Sequence, residues 1–101
     1  MAENQGNVKE KSRSGVDEPR PFEVIIHNDD FTPMEVVVII LMKFFYKTQG
    51  EAYRLMMKVH NSEKAAVGVY TYDIAVSKVY KATNFAREQG YPLKLEIKPL
   101  D

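Results

Sequence analysis

Thr32-Pro33-Met34-Glu35-Val36-Val37-Val38-Ile39-Ile40-Leu41 is the stretch on which the fold turns, because it carries two opposed instructions. Val36 to Ile40 are five β-branched residues in succession, which on propensity alone favour a strand. The residues in front of them spell a helix start. Thr32 is a good N-cap, Pro33 suits the first helical position because its missing N–H would be unpaired there, and Glu35 completes a capping box. The spacing decides for the helix: Met34, Val37, Val38, Leu41, Phe44 and Phe45 recur at i, i+3, i+4 and i+7. A second apolar face, Val36 with Ile39, Ile40 and Met42, exceeds what one core contact needs. It is either covered by a neighbouring element or left as a patch for a partner.

On the N-terminal side, Phe22-Glu23-Val24-Ile25-Ile26-His27 reads as a strand between Pro21 and the turn-forming Asn28-Asp29-Asp30. On the C-terminal side, Thr48 and Glu51 repeat the capping-box spacing. A second helix is expected from Gly50 or Glu51 to His60, with Ala52, Leu55, Met56 and Val59 on one stripe and Met56 and His60 on a shared face. Ala65 to Tyr70 reads as a second strand, in which Gly68 signals a bulge or a close backbone approach. Thr71 or Asp73 can cap a third helix carrying Ala75, Val79, Ala82 and Ala86, with its stop at Gly90 before Pro92. Leu93 to Lys98 alternates apolar and polar as a half-exposed final strand. The order β-α-α-β-α-β implies an α+β sandwich with helices on one face of a small sheet.

Positions 1–21 contribute only Met1, Ala2, Val8 and Val16 as apolar side chains, while four basic and four acidic residues cancel there. Such a segment buries too little apolar surface to offset the entropy of ordering it, so residues 1–21 are expected to be a disordered arm ahead of a single core domain, residues 22–101. All eleven aromatic residues of the 101 lie from Phe22 onward, enough for a core without disulfide or metal staples. There is no cysteine, no signal-peptide pattern, and no apolar run longer than the seven residues Val36 to Met42, against the roughly 20 a spanning helix requires. A soluble cytoplasmic protein with no membrane association is expected. Fourteen basic residues balance fourteen acidic ones without a basic stripe, which argues against nucleic acid as a partner.

His27, Asp29, Asp30 and His60 include ingredients for acid–base or metal chemistry. No complete metal-ligand spacing, no nucleophile beside a base and no phosphate-binding glycine loop accompanies them, so no catalytic residue, metal or cofactor is expected. Asn28, Asp29 and Asp30 also have a plain structural reading as turn formers near a helix dipole, His60 as a C-terminal dipole partner, and Met34, Met56 and Met57 as core filler. If the turn and His60 meet, they instead make a pocket with acceptors at its mouth and methionines in its walls, suited to a cationic group joined to an apolar one.

Asn28-Asp29-Asp30-Phe31-Thr32-Pro33-Met34-Glu35, Lys43-Phe44-Phe45, Val59-His60, and Lys64-Ala65 through Gly68-Val69 closely resemble the ClpS family, over about Pro21 to Lys98. The resemblance implies three helices packed on a three-stranded antiparallel sheet. It also implies a non-enzymatic adaptor that binds N-degron proteins beginning with Leu, Phe, Tyr or Trp and delivers them to a Clp AAA+ unfoldase–protease. On this resemblance Asn28, Asp30 and His60, with Asp29 beside them, contact the substrate α-amino group. Thr32, Met34, Val37, Met56 and Val59 form the hydrophobic side-chain pocket, with Met34 as its gate. Asp73 and Lys78 meet the N-terminal domain of the unfoldase, of ClpA or ClpC type, and the arm engages it during delivery. Two positions depart from the family: Lys94 stands where an apolar residue often follows Pro-Leu, leaving Leu93 for the pocket floor, and Ile39 stands at an often acidic position. Two readings from other classes compete with this one. One is a docking domain resembling the C-terminal domain of the ribosomal stalk protein, without N-degron recognition; the other is a small metal-dependent enzyme using His27, Asp29, Asp30 and His60.

Overall fold

The computed structural model describes residues 20–100; most of the arm read at positions 1–21, and Asp101, lie outside them. The elements follow the expected order: β1 (Pro21–His27), α1 (Met34–Phe45), α2 (Gln49–Ser62), β2 (Lys64–Thr71), α3 (Tyr72–Glu88) and β3 (Lys94–Pro99). The strands form one antiparallel sheet in the order β2-β1-β3, so the first strand is central. Its composition fits that position, since Val24, Ile25 and Ile26 are all buried. β1 starts at Pro21, paired with Thr71, one residue ahead of the strand read from periodicity.

Val24 pairs with Gly68 and Ile25 with Ala66, which leaves Val67 as the extra residue of a bulge. A β-carbon at Gly68 would come within 2.6 Å of the Tyr70 hydroxyl, so a larger residue there would require the Tyr70 side chain to shift. Tyr70 lies along the same face of β2, with its ring 6.3 Å from that of Phe45.

The β-branched run is helical. α1 buries Val37, Ile40, Leu41 and Phe45, a stripe rotated from the one read in the sequence: Ile40 is fully buried, whereas Met34 is exposed. The rotation follows from α1 having neighbours on two sides, α2 and α3, so that it needs a wider apolar arc than a helix lying on a sheet alone. Ile39 and Met42 remain exposed beyond that arc. The small residues of α3, Ala75, Ala82 and Ala86, are fully buried and share one core with Val24, Ile26, Met56, Val59 and Leu93.

Helix ends match the sequence at α2 and depart from it at α1. The Thr48 hydroxyl accepts from the Glu51 N–H, and the Glu51 carboxylate accepts from the Thr48 N–H, a complete capping box. At α1 the cap position falls on Pro33, whose backbone is extended, and no side chain caps the helix. Thr32 is drawn away because its hydroxyl donates to the Asp29 carboxylate at 2.8 Å, a charge-assisted bond stronger than a neutral cap. α3 begins after Thr71 without a side-chain cap and ends at Glu88, with Gly90 in the left-handed region at φ 85°. None of the helices formed by the described residues is long and apolar enough to cross a membrane.

Candidate functional site

β1 delivers the polar turn to the C-terminal end of α2. α2 is capped by Glu63, the residue after Ser62, whose φ of 74° is left-handed, and the turned chain presents the Glu63 carbonyl to the Asn28 N–H at 2.8 Å. His27 pairs with Lys64 in the next rung of the sheet. The segment carrying Asn28, Asp29 and Asp30 therefore abuts the helix end that carries His60, one turn before Glu63.

Within the turn the three polar residues have different surroundings. Asp29 Oδ1 accepts from the N–H groups of Phe31 at 2.8 Å and Thr32 at 2.7 Å, while Oδ2 accepts from the Thr32 hydroxyl. Partial burial is the largest single influence on this carboxyl and raises its pKa. The bonds to the Thr32 and Phe31 backbone and the Thr32 side chain, with the charge of Arg87, together outweigh it and leave the pKa lowered. Asp29, expected beside the amino-group contacts, thus spends its acceptors on the frame of the turn. Asp30 and His60 are exposed and Asn28 is half-buried.

The apolar residues expected as pocket walls fall into two layers. Val37, Met56, Val59 and Leu93 are buried together in the core. Met34, at the first turn of α1, is 42% exposed, and Thr32 is held half-buried by Asp29. Arg87 fixes the approach to Leu93: its guanidinium donates to the carbonyls of Tyr91 at 2.9 Å and Leu93 at 2.8 Å. The sequence carried a signal for this contact, since a basic residue in a helix's last turn commonly satisfies the carbonyls beyond it.

His27 belongs to the sheet. Its Nε2–H donates to Glu96 Oε1 on β3 at 2.8 Å, and this bond is the main reason the Glu96 pKa is lowered. Among the described residues no three histidine, aspartate or glutamate side chains gather closely enough to hold a metal ion.

Asp73 and Lys78 lie at the start of α3, along a recess of about 260 Å³ beside the end of α1. Asp73 is exposed. Lys78 is bound into the fold: its ammonium donates to the Phe44 carbonyl at 3.2 Å and stands 4.2 Å from the centre of the Tyr46 ring. Burial, with Lys81 adding repulsion, lowers its pKa from the usual lysine value. Tyr46 itself ends α1 at a left-handed φ of 55°.

A small α+β domain, three helices on a three-stranded antiparallel sheet, is the class these features define. The chain belongs to the ClpS family: residues 17–96 match the model of the ATP-dependent Clp protease adaptor protein ClpS. The ATP-dependent Clp protease adapter protein ClpS of Treponema denticola is 45% identical over 80 residues, 79% of each chain. Its counterpart in Desulfatibacillum aliphaticivorans is 39% identical, covering 96% of this chain and 93% of that one. Among solved structures, Agrobacterium tumefaciens ClpS2 bound to L-phenylalaninamide superposes with a TM-score of 0.80 at 35% identity, over 82% of this chain and 100% of that chain. The family is one of Clp protease adaptors, and the similarity extends through the whole three-helix, three-strand domain.

Proposed function

We propose that this adaptor binds proteins through their first residue, when that residue is Leu, Phe, Tyr or Trp, and delivers them to a Clp AAA+ unfoldase for degradation. The observation that supports the reading is the junction of the Asn28–Asp30 turn with the end of α2, which brings the segment of Asn28 and the exposed Asp30 close to the helix end that carries the exposed His60. L-phenylalaninamide, the ligand of the Agrobacterium tumefaciens relative, combines a free α-amino group with a benzyl side chain, the same pairing an N-terminal Phe offers.

A free N-terminus has a pKa near 7.7 to 8.0, so at neutral pH it is mostly a cation with donors only. The Asn28 oxygen, the Asp30 carboxylate and an unprotonated His60 nitrogen complement it. An internal peptide group brings one N–H and no charge, leaving acceptors unpaired at about 1 to 3 kcal/mol each. Selection of a chain start over any internal leucine follows from that difference. Asp29 contributes by fixing the turn, and Met34, flexible and exposed, closes over the bound side chain. Walls of Val37 and Val59 disfavour branching at Cβ, so N-terminal Ile and Val bind poorly. The adaptor supplies recognition and breaks no bond itself. The start of α3, with Asp73 and Lys78, meets the N-terminal domain of the unfoldase.

Fluorescence anisotropy tests the reading with a Leu-starting peptide, its N-acetylated twin, and the Asp30→Ala and His60→Ala variants. Binding is expected for the free peptide on the native chain and lost in the other three cases. Equal affinity for the acetylated peptide would sink the proposal, as would equal affinity for Ile-starting and Leu-starting peptides sink the pocket-shape argument.

A further inference from the structure

Between α1 and α2 runs a groove of about 530 Å³ whose walls include Met34, Val38, Ile39 and Met42 on one side and Tyr53 and Met56 on the other. Ile39 is 47% exposed and Tyr53 55%, an outlay of apolar surface that the core does not use. Among the described residues that line it, Glu35 alone is charged. Met34 and Met56, which line this groove, are also among the walls proposed above for the first-residue pocket, so the two share those residues.

We infer that the groove is a second subsite, which takes an apolar side chain at the third position of the substrate; the inference rests on the N-terminal reading proposed above. Three features commit it to that occupant. An extended chain advances about 3.4 Å per residue, and its side chains alternate, so the third residue faces the same surface as the first roughly 7 Å further on. One helical turn along α1, about 5.4 Å, leads from Met34 to Val38 and the middle of the groove. The lining is otherwise uncharged, and Glu35 opposes an acidic side chain there. The same surface discriminates among substrates that share a first residue, which the pocket alone does not do.

Anisotropy on the full chain tests this with two fluorescent decapeptides that begin with leucine and differ only by leucine or serine at the third position, each also in N-acetylated form. Partial burial of one leucine side chain corresponds to about fivefold tighter binding of the peptide with leucine at the third position. Ile39→Ser and Tyr53→Ala, both at exposed positions, are expected to bring that ratio close to one while leaving the affinity of the serine-containing peptide unchanged. A ratio near one on the native chain, with binding still abolished by acetylation, overturns the subsite alone. Indifference to acetylation overturns the N-terminal reading and the subsite with it. A fivefold ratio that survives both substitutions places the third side chain elsewhere and overturns the subsite. A chain that sediments as a dimer, and as a monomer after Ile39→Ser, assigns the groove to a second copy and also overturns the inference.

Discussion

At the scale of single residues, Asp29 and Glu63 hold the candidate site in place from opposite sides. Folding lowers the Asp29 pKa, so its ionised form adds stability above the ordinary aspartate value of 3.8 and loses that share as the pH falls through the lowered value. Stability followed by urea unfolding should therefore decline more steeply on acidification for the native chain than for Asp29→Asn, which keeps an acceptor but does not titrate. Asp29→Ala removes all three bonds of the turn and is expected to cost about 1–2 kcal/mol at neutral pH. Glu63 works in the reverse sense, because its left-handed φ of 74° burdens a residue with a β-carbon. Glu63→Gly keeps the carbonyl that Asn28 needs and should raise stability by about 1 kcal/mol, read as a shift of the denaturation midpoint. An unchanged or lower midpoint would mean that the Glu63 side chain has a role its exposure does not suggest.

At the scale of elements, what could be read in the sequence was whatever local chemistry decides. The α2 capping box is satisfied in both directions, and Thr48→Ala should cost about 1 kcal/mol of thermal or chemical stability. The same pattern at Thr32 and Glu35 did not form a box, because the motif is silent about competitors: Asp29, three residues upstream, offers Thr32 a charged acceptor. Thr32→Val tests this difference, since it should loosen the turn, seen as faster amide exchange at Phe31 and Thr32, without shortening α1. The bulge beside Gly68 was legible from one glycine in a strand pattern. The rotation of α1 was not, because α1 packs against both α2 and α3 and no local periodicity records which neighbours a helix will have. Lys78 illustrates the same limit. Its spacing marks it as a solvated charge on a helix face, yet its ammonium reaches a carbonyl 34 residues earlier in the chain.

At the scale of the whole molecule, the fold brings two segments distant in sequence together while leaving Asp30 and His60 exposed. The turn after the central strand and the end of α2 are joined by a backbone bond, Asn28 N–H to Glu63 carbonyl, and by the shared rung of His27 and Lys64. Those bonds are backbone bonds, and His60 and Asp30 beside the junction are exposed. Ligand binding and stability should accordingly separate. A ligand that binds only the folded chain stabilises it by about 2.7 kcal/mol at a concentration of 100 times Kd. A Phe-starting peptide at that excess should therefore raise the melting midpoint of the native chain measurably, and its acetylated twin should not. His60→Ala should melt at the native temperature without peptide, because the side chain is exposed, and should show no rise with it. A variant that melts several degrees lower on its own would place His60 among the residues that hold α2 to the turn, and the division between a rigid frame and a freely presented rim would fail.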